Sequence, residues 1–199
     1  MANTSNPCGL RPINQPFGSI RCNYYKMQTG AVGGVFLNQP VDLDANGYIV
    51  VATAATGNYI VGSIVAILNG DYGPTDSNYP YLPTNPIAKD VDSSGYVNVL
   101  VADDPLQHFV IEESSGTALT VAANFAVAGF AYFAGAASGS TVTGVCTCVL
   151  GADKLSAAGS AQLQLLKKYD KPDNAYGSYC KWIVRPFMHR YGGVLPLPV

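Results

Sequence analysis

Charged side chains are scarce in this sequence. Only 12% of the 199 residues are Asp, Glu, Lys or Arg, against the roughly 25% that is usual in soluble proteins. The formal net charge is −2, so no positive field is available for a phosphate backbone, and we expect no nucleic acid partner. Two explanations stay open for such a surface. Either other protein covers much of it, or it is built from uncharged polar side chains.

The sequence also lacks the features of a membrane or disulfide-stabilised protein. No apolar run reaches the roughly 18 uninterrupted residues of a membrane span, and the polar N-terminus shows no signal peptide. The five cysteines are odd in number and scattered, which argues against a disulfide framework. We therefore expect synthesis in a reducing cytoplasm, no membrane partner, and one domain with a core large enough to need no metal.

Short alternating segments predict a mainly β fold, an antiparallel β-barrel or sandwich. The densest signal is 97–113, where two apolar runs flank Asp103-Asp104-Pro105. Asn46-Gly47 between apolar runs predicts a hairpin, because both residues tolerate positive φ. The run 59–68 predicts one bent strand or a strand pair, with Gly62 as a bulge. Further strands are expected at 20–26, 117–137, 142–150, 161–169 and 178–188, the last ended by Pro186.

We expect a single β-rich domain, 1–199. Three of its segments lack the alternating strand pattern. An extended arm is expected over 1–19, because its three prolines prevent regular pairing. The arm is either a disordered tail or a segment ordered by a neighbour. Deletion of residues 1–17 should leave the fold intact. The Tyr-rich loop 69–95 is predicted to lie at an interface or to pack on its own barrel, and 189–199 is an extended tail. The interface candidates are apolar or aromatic side chains of these segments: Leu10, Ile13, Phe17, Tyr72, Tyr79, Tyr81, Leu195 and Leu197.

Candidate catalytic groups are few. Those closest in sequence are Asp103, Asp104, His108, Glu112 and Glu113. Together they could bind a metal or transfer protons, but Asp-Asp-Pro is also typical of a turn, in which Asp accepts backbone N–H groups. Cys146 and Cys148 lack zinc-pair spacing and are expected in the core. We therefore expect no enzyme, no metal and no cofactor.

Four segments carry a family resemblance. They are Gly9-Leu10-Arg11-Pro12 with Tyr24-Tyr25, Ile60-Val61-Gly62, Val99 to Glu112, and Leu163 to His189, which includes Pro172-Asp173-Asn174 and Lys181-Trp182-Ile183-Val184. These segments resemble tailed-bacteriophage capsid decoration proteins, also called cement or head stabilisation proteins. The likeness is weak over 28–58 and 114–160, and Arg185-Pro186 departs from the family ending.

The resemblance implies a structural virion protein without a catalytic site. Such a protein binds the outer surface of the major capsid protein lattice, as a homodimer or homotrimer, and stabilises the phage head. It is made in the host cytoplasm and ends on the capsid exterior, where repeated symmetric contacts add avidity. Two alternatives stay open. One is a carbohydrate- or receptor-binding head fibre module that uses the tyrosines of 72–81; the other is a metal-dependent hydrolase that uses Asp103, Asp104 and His108.

Overall fold

The structure is a computed structural model that describes residues 3–14, 18–28, 34–55, 57–68, 95–115, 119–120, 130–131, 133–151 and 161–194. Within these ranges the regular elements are β-strands and no helix occurs, so the mainly β class is confirmed. Accordingly, no described helix is long and apolar enough to cross a membrane. Several interface candidates stay predictions because they lie outside the described residues: Phe17, Tyr72, Tyr79, Tyr81, Leu195 and Leu197.

The described residues form strands in the following chain order. They are β1 (Arg11–Ile13), β2 (Asn23–Gln28), β3 (Pro40–Leu43), β4 (Ile49–Val51), β5 (Gly62–Leu68), β6 (Tyr96–Ala102), β7 (His108–Glu112), β8 (Phe130–Ala131), β9 (Phe133–Ala134), β10 (Val149–Leu150), β11 (Leu163–Lys168), β12 (Lys181–Pro186), β13 (Met188–His189) and β14 (Gly193–Val194). Pro186 is the last residue of β12, as predicted.

Five strands make a closed sheet in the order β2-β4-β3-β5-β6, with β6 pairing back to β2. Neighbours are antiparallel except β2 and β4. Valines alternate along β6, so every second side chain of this strand points into the interior of the closed sheet. The buried apolar side chains of this core are Met27, Val35, Val41, Ile49, Val61, Ile64, Ile67, Val97, Val99 and Val101.

An open sheet follows the order β1-β7-β12-β11-β8. One of its faces packs a second, larger core that contains Phe109, Ile111, Leu163, Leu165, Trp182 and Val184. Ala102 of the closed sheet belongs to the same core, which joins the two sheets. Cys146 and Cys148 are fully buried there, so their predicted position is confirmed. All five cysteines are described, and none forms a disulfide.

The stretch 97–113 is a corner between the two sheets. β6 lies in the closed sheet and β7 in the open sheet, and the residues between them form the turn. The Asp104 carboxylate accepts the N–H of Leu106 at 2.8 Å, and its carbonyl accepts the N–H of Gln107 at 2.9 Å. The turn interpretation of Asp-Asp-Pro is therefore confirmed.

Asn46-Gly47 also forms its predicted hairpin, between the antiparallel strands β3 and β4. Gly47 has φ 83°, in the left-handed region. The Asp44 carboxylate accepts the N–H groups of Asn46 and Tyr48, both at 2.8 Å. The Asp44 side chain thus provides acceptors for backbone N–H groups of the turn.

Gly62 does not form the predicted bulge. The register shift of β5 against β6 falls between Ile64 and Ala66 instead. Gly62 serves a close approach, because a Cβ atom there would lie 1.9 Å from the carbonyl oxygen of Ala102. The prediction of a bulge at Gly62 was therefore wrong, and the glycine is explained by the close approach of the two strands.

The N-terminal segment packs on its own chain, so the described residues 3–14 are neither a disordered tail nor ordered by a neighbour. β1 pairs antiparallel with β7. Leu10 is fully buried in the larger core and its N–H donates to the carbonyl of Asn38 at 2.8 Å. Leu10 is therefore a core residue rather than an interface residue, because its side chain has no surface left for a partner. Ile13 is half-buried in β1 and stays an interface candidate.

The described part of the C-terminal tail is a hairpin, which corrects the extended conformation expected from 189. β13 and β14 pair antiparallel, with Met188 opposite Val194. The Arg190 guanidinium donates two hydrogen bonds to the Asp42 carboxylate. This ion pair ties the hairpin to β3 of the closed sheet.

Candidate functional site

A buried asparagine shapes the turn between β11 and β12. The Asn174 side-chain amide donates to the carbonyls of Tyr169, at 2.6 Å, and Lys181, at 2.8 Å. Its oxygen accepts the N–H of Lys181 at 2.8 Å. One side chain thus holds both strand ends, and the predicted turn cluster 170–177 is confirmed.

The N-terminal segment crosses this same turn. Asn3 donates from its side chain to the carbonyls of Ala175 and Ser178, and its side-chain oxygen accepts the N–H of Ala175 at 2.9 Å. The N–H of Asn6 donates to Oε2 of Glu112 at 2.9 Å. Residues 3–6 are therefore fixed beside the turn at two points.

A cleft of about 740 Å³ lies between residues 3–6 and the turn. Its other lining side chains include Arg11, Tyr169, Lys171, Asp173, Tyr179 and Lys181. Three of these six are cations and only one is an acid. The cleft is therefore a positive region on a chain whose net charge is negative.

Tyr169 has two cations beside its ring. The guanidinium carbon of Arg11 lies 6.0 Å from the ring centre, and Nζ of Lys171 lies 5.6 Å from it. Each contact of this kind contributes about 0.5–1 kcal/mol at an exposed site. The ring therefore holds two positive charges close together that would otherwise separate in water.

Glu112 is a buried carboxyl group that contacts three of the residues that line the cleft. It is fully buried, and burial raises the pKa of its carboxyl, while the Asn6 N–H, the Ser5 hydroxyl and Lys181 act in the opposite direction. Nζ of Lys181 lies 3.9 Å from Oε2 of Glu112. Since its oxygens accept bonds from Ser5 and Asn6, Glu112 anchors the N-terminal segment.

Strand register extends the positive charge along the open sheet. Arg11 lies opposite Val110, Val110 opposite Ile183, and Ile183 opposite Lys167. Directly opposed residues share one face of a sheet, so Arg11 and Lys167 project on the same side, away from the Trp182 core. We define the basic cluster as Arg11, Lys167, Lys171, Lys181 and Arg185.

His108 lies near two members of the basic cluster. Burial lowers the pKa of its imidazole, and the positive charges of Arg185 and Lys167 lower it further. Within the described part of the chain, Lys181 is the member of the basic cluster that has an acidic partner within 4 Å. Five of the eleven Lys and Arg residues thus lie on this part of the molecule, with Asp173 and the buried Glu112 as the acids beside them.

The catalytic candidates from the sequence separate in the structure. The Asp103 carboxylate accepts bonds from the Asn23 amide and the Tyr25 hydroxyl. Burial, and after it the hydrogen bonds with Asp103 and Tyr191, raise the pKa of Tyr25. Glu113 accepts the indole N–H of Trp182 at 2.8 Å. Among the residues that the structure describes, no three His, Cys, Asp or Glu side chains form a group that could hold a metal ion.

The residues of the cleft were not predicted as a site. Lys167-Lys168 reads most simply as a solvated strand end, yet Nζ of Lys168 donates to the carbonyl of Asn174 at 2.8 Å. The signal that could have found the cluster is the gathering of four cations within 167–181 of a charge-poor chain. Arg11 could not be added from the sequence, because only the pairing of β1 with β7 brings it there.

Comparisons of the chain with models of known protein families, with curated proteins and with solved structures found no match. Function is therefore inferred from the residues, their geometry and the resemblance in the sequence.

Proposed function

We propose that this chain is a capsid decoration (cement) protein, which binds the outer surface of the major capsid protein lattice and stabilises a phage head. The observation that carries the proposal is the basic cluster on a chain with few charges. Cations held together repel one another, and an acidic partner surface relieves that repulsion. The scarcity of charge elsewhere supports a surface that is largely covered in the assembly.

The resemblance supports the same function. Two of the segments that carry it, Val99–Glu112 and Leu163–His189, supply β7, β11, β12 and the turn around Asn174. These elements form the cleft and most of the basic cluster. The segments that resemble the family are thus the ones that build the proposed contact region.

The packing of both ends also suits a protein that docks on a lattice. Leu10 is buried in the larger core, and Arg190 is paired with Asp42. A body that is already ordered loses little conformational entropy when it binds. In this proposal the protein is a homodimer or homotrimer, the closed sheet is the small barrel expected from the sequence, and the open sheet beside it contacts the capsid lattice.

A carbohydrate- or receptor-binding head fibre module is the second candidate. Tyr169 and Tyr179 in the cleft favour it, because aromatic side chains can stack on sugars. However, two cations already lie over the Tyr169 ring. Absence of binding on a glycan array would remove this candidate.

The test uses expanded heads assembled from the major capsid protein of the same phage. We expect purified protein to co-sediment with the heads saturably and to raise the temperature at which calorimetry detects their disruption. Absence of the protein from purified virions, together with no co-sedimentation, would show that the proposed function is wrong.

A further inference from the structure

We propose that the basic cluster binds an acidic polypeptide segment of another protein. Arg11 and Lys171, beside the Tyr169 ring, receive carboxylates in the cleft, and Lys167 and Arg185 receive others farther along the open sheet. The proposal rests on the proposed function only for the identity of the partner, which is then the major capsid protein.

The chemistry of the cleft favours carboxylates as ligands. Arg11 has a planar guanidinium that matches a carboxylate with two parallel hydrogen bonds. In the described part of the chain, neither Arg11 nor Lys171 has an acidic partner within 4 Å. The amides of Asn3 and Asn174 are already bonded to backbone groups, so the cations are the groups left to recognise a ligand.

The spacing of the cations favours polypeptide over nucleic acid. Arg11 and Lys167 lie in one row, three strand separations apart, or about 14 Å at the usual distance between strands. Phosphates follow each other at about 3.4 Å along a strand of DNA. Cations so far apart match the separate carboxylates of a protein surface better than a continuous polyanion.

A second copy of this chain fits the cluster poorly. A two-fold contact places the same patch on both subunits. The basic cluster would then face itself, and its like charges would repel. A two-fold contact through the cluster is therefore disfavoured, and the occupant that we assign to it is a different protein with an acidic surface.

The edge of the open sheet supports recognition through side chains. β1 is an edge strand with Pro12 at its centre. Since proline has no N–H, this edge lacks a donor in the middle of its three residues and is protected against strand addition. The partner therefore contacts the cluster through charges rather than by extending the sheet.

The direct test measures binding of a labelled synthetic peptide of alternating Glu and Gly by fluorescence anisotropy at low salt. The double variant Arg11→Gln/Lys171→Gln should bind about tenfold more weakly, the loss expected when roughly two partly exposed ion pairs are removed. The matched control is Arg21→Gln/Lys26→Gln, which removes the same charge from exposed positions outside the cluster. It should change the affinity by less than about twofold.

A second readout locates the site on the full-length protein. Since His108 lies beside Lys167 and Arg185, adding the peptide should shift its imidazole resonances in NMR spectra. Increasing salt should reverse the shift, because salt screens exposed charges.

Three results would overturn the inference. The two double variants could weaken binding equally, which would show that overall charge, rather than the basic cluster, determines the affinity for the peptide. Single-stranded DNA of equal charge could bind more tightly than the peptide. Wild-type protein could self-associate through the cluster, with the association lost in Arg11→Gln/Lys171→Gln.

Binding to heads separates this inference from the proposed function. If the peptide binds at the cluster while heads do not bind, decoration is wrong and the inference stands. If heads bind wild type and Arg11→Gln/Lys171→Gln equally, decoration stands and the inference is wrong.

Discussion

At the scale of the residue, single positions determine how closely the strands of the closed sheet and the C-terminal hairpin approach one another. Gly62 lets β5 approach the end of β6 so closely that its missing Cβ would collide with the carbonyl of Ala102. His189 donates from Nε2 to the carbonyl of Val61 at 2.6 Å and accepts the N–H of Tyr191 at Nδ1. Both positions are closely packed or hydrogen-bonded, so small changes there should have large effects.

Replacing Gly62 by Ala should lower the free energy of unfolding by about 1–3 kcal/mol or more, the usual cost of overpacking. The clash is with backbone, which cannot move aside as a flexible side chain can. Gly18→Ala is the matched control, because a Cβ there meets nothing within 4 Å; it should stay within about 0.5 kcal/mol. Urea unfolding of both variants measures the difference, and equal stabilities would contradict the close approach.

Stability should fall as the pH decreases below about 6.5, the ordinary pKa of histidine. Burial lowers the pKa of His108 and His189 in the fold, so below this pH the unfolded chain binds more protons than the native one. Each imidazole then costs at most about 1.4 kcal/mol per pH unit.

Unfolding of wild type and His108→Gln between pH 7.5 and 5.5 isolates one imidazole. Glu112, whose raised pKa changes stability in the opposite direction, is the same in both proteins. The wild type should lose more stability than the variant. A larger loss in the variant would contradict the lowered pKa of His108.

At the scale of the element, β1 determines both fold and site. It closes the edge of the open sheet beside β7, and it brings Arg11 to the cleft. The buried Leu10 next to it belongs to the larger core. The structure therefore no longer supports the expectation that deletion of residues 1–17 leaves the fold intact.

Leu10→Ala should destabilise the protein by about 2–5 kcal/mol, the range for a buried leucine whose removal leaves a cavity. Leu106→Ala is the control, because that leucine is 53% exposed and should change stability by about 0.5 kcal/mol or less. Thermal unfolding of the isolated proteins compares them. Similar melting temperatures would place Leu10 outside the core and restore the free arm.

Much of the element pattern could be predicted because it is local. The alternation in β6 and β11, the Asn46-Gly47 hairpin and the Asp103-Asp104-Pro105 corner follow from side-chain period and turn chemistry. The position of β1 could not be predicted, since a three-residue strand centred on Pro12 carries little β signal and its partner β7 lies about a hundred residues away. Arg11 reaches the basic cluster only through that pairing, so its membership was equally hidden.

At the scale of the whole molecule, charge is unevenly distributed. The chain is acidic overall, yet the five cations of the basic cluster lie along one face of the open sheet and at the turn between β11 and β12. The closed sheet has an apolar interior of its own, and Ala102 links it to the larger core. The part of the chain that the structure describes therefore combines two packed cores with a basic contact region, an arrangement that suits the proposed decoration function.

The most direct test of this account is a cryo-EM map of expanded heads incubated with the purified protein. We expect density for this chain on the outer surface of the lattice, with Arg11, Lys171 and the rest of the basic cluster facing acidic residues of the major capsid protein. Heads that bear no such density, or bound protein whose basic cluster faces solvent, would contradict it.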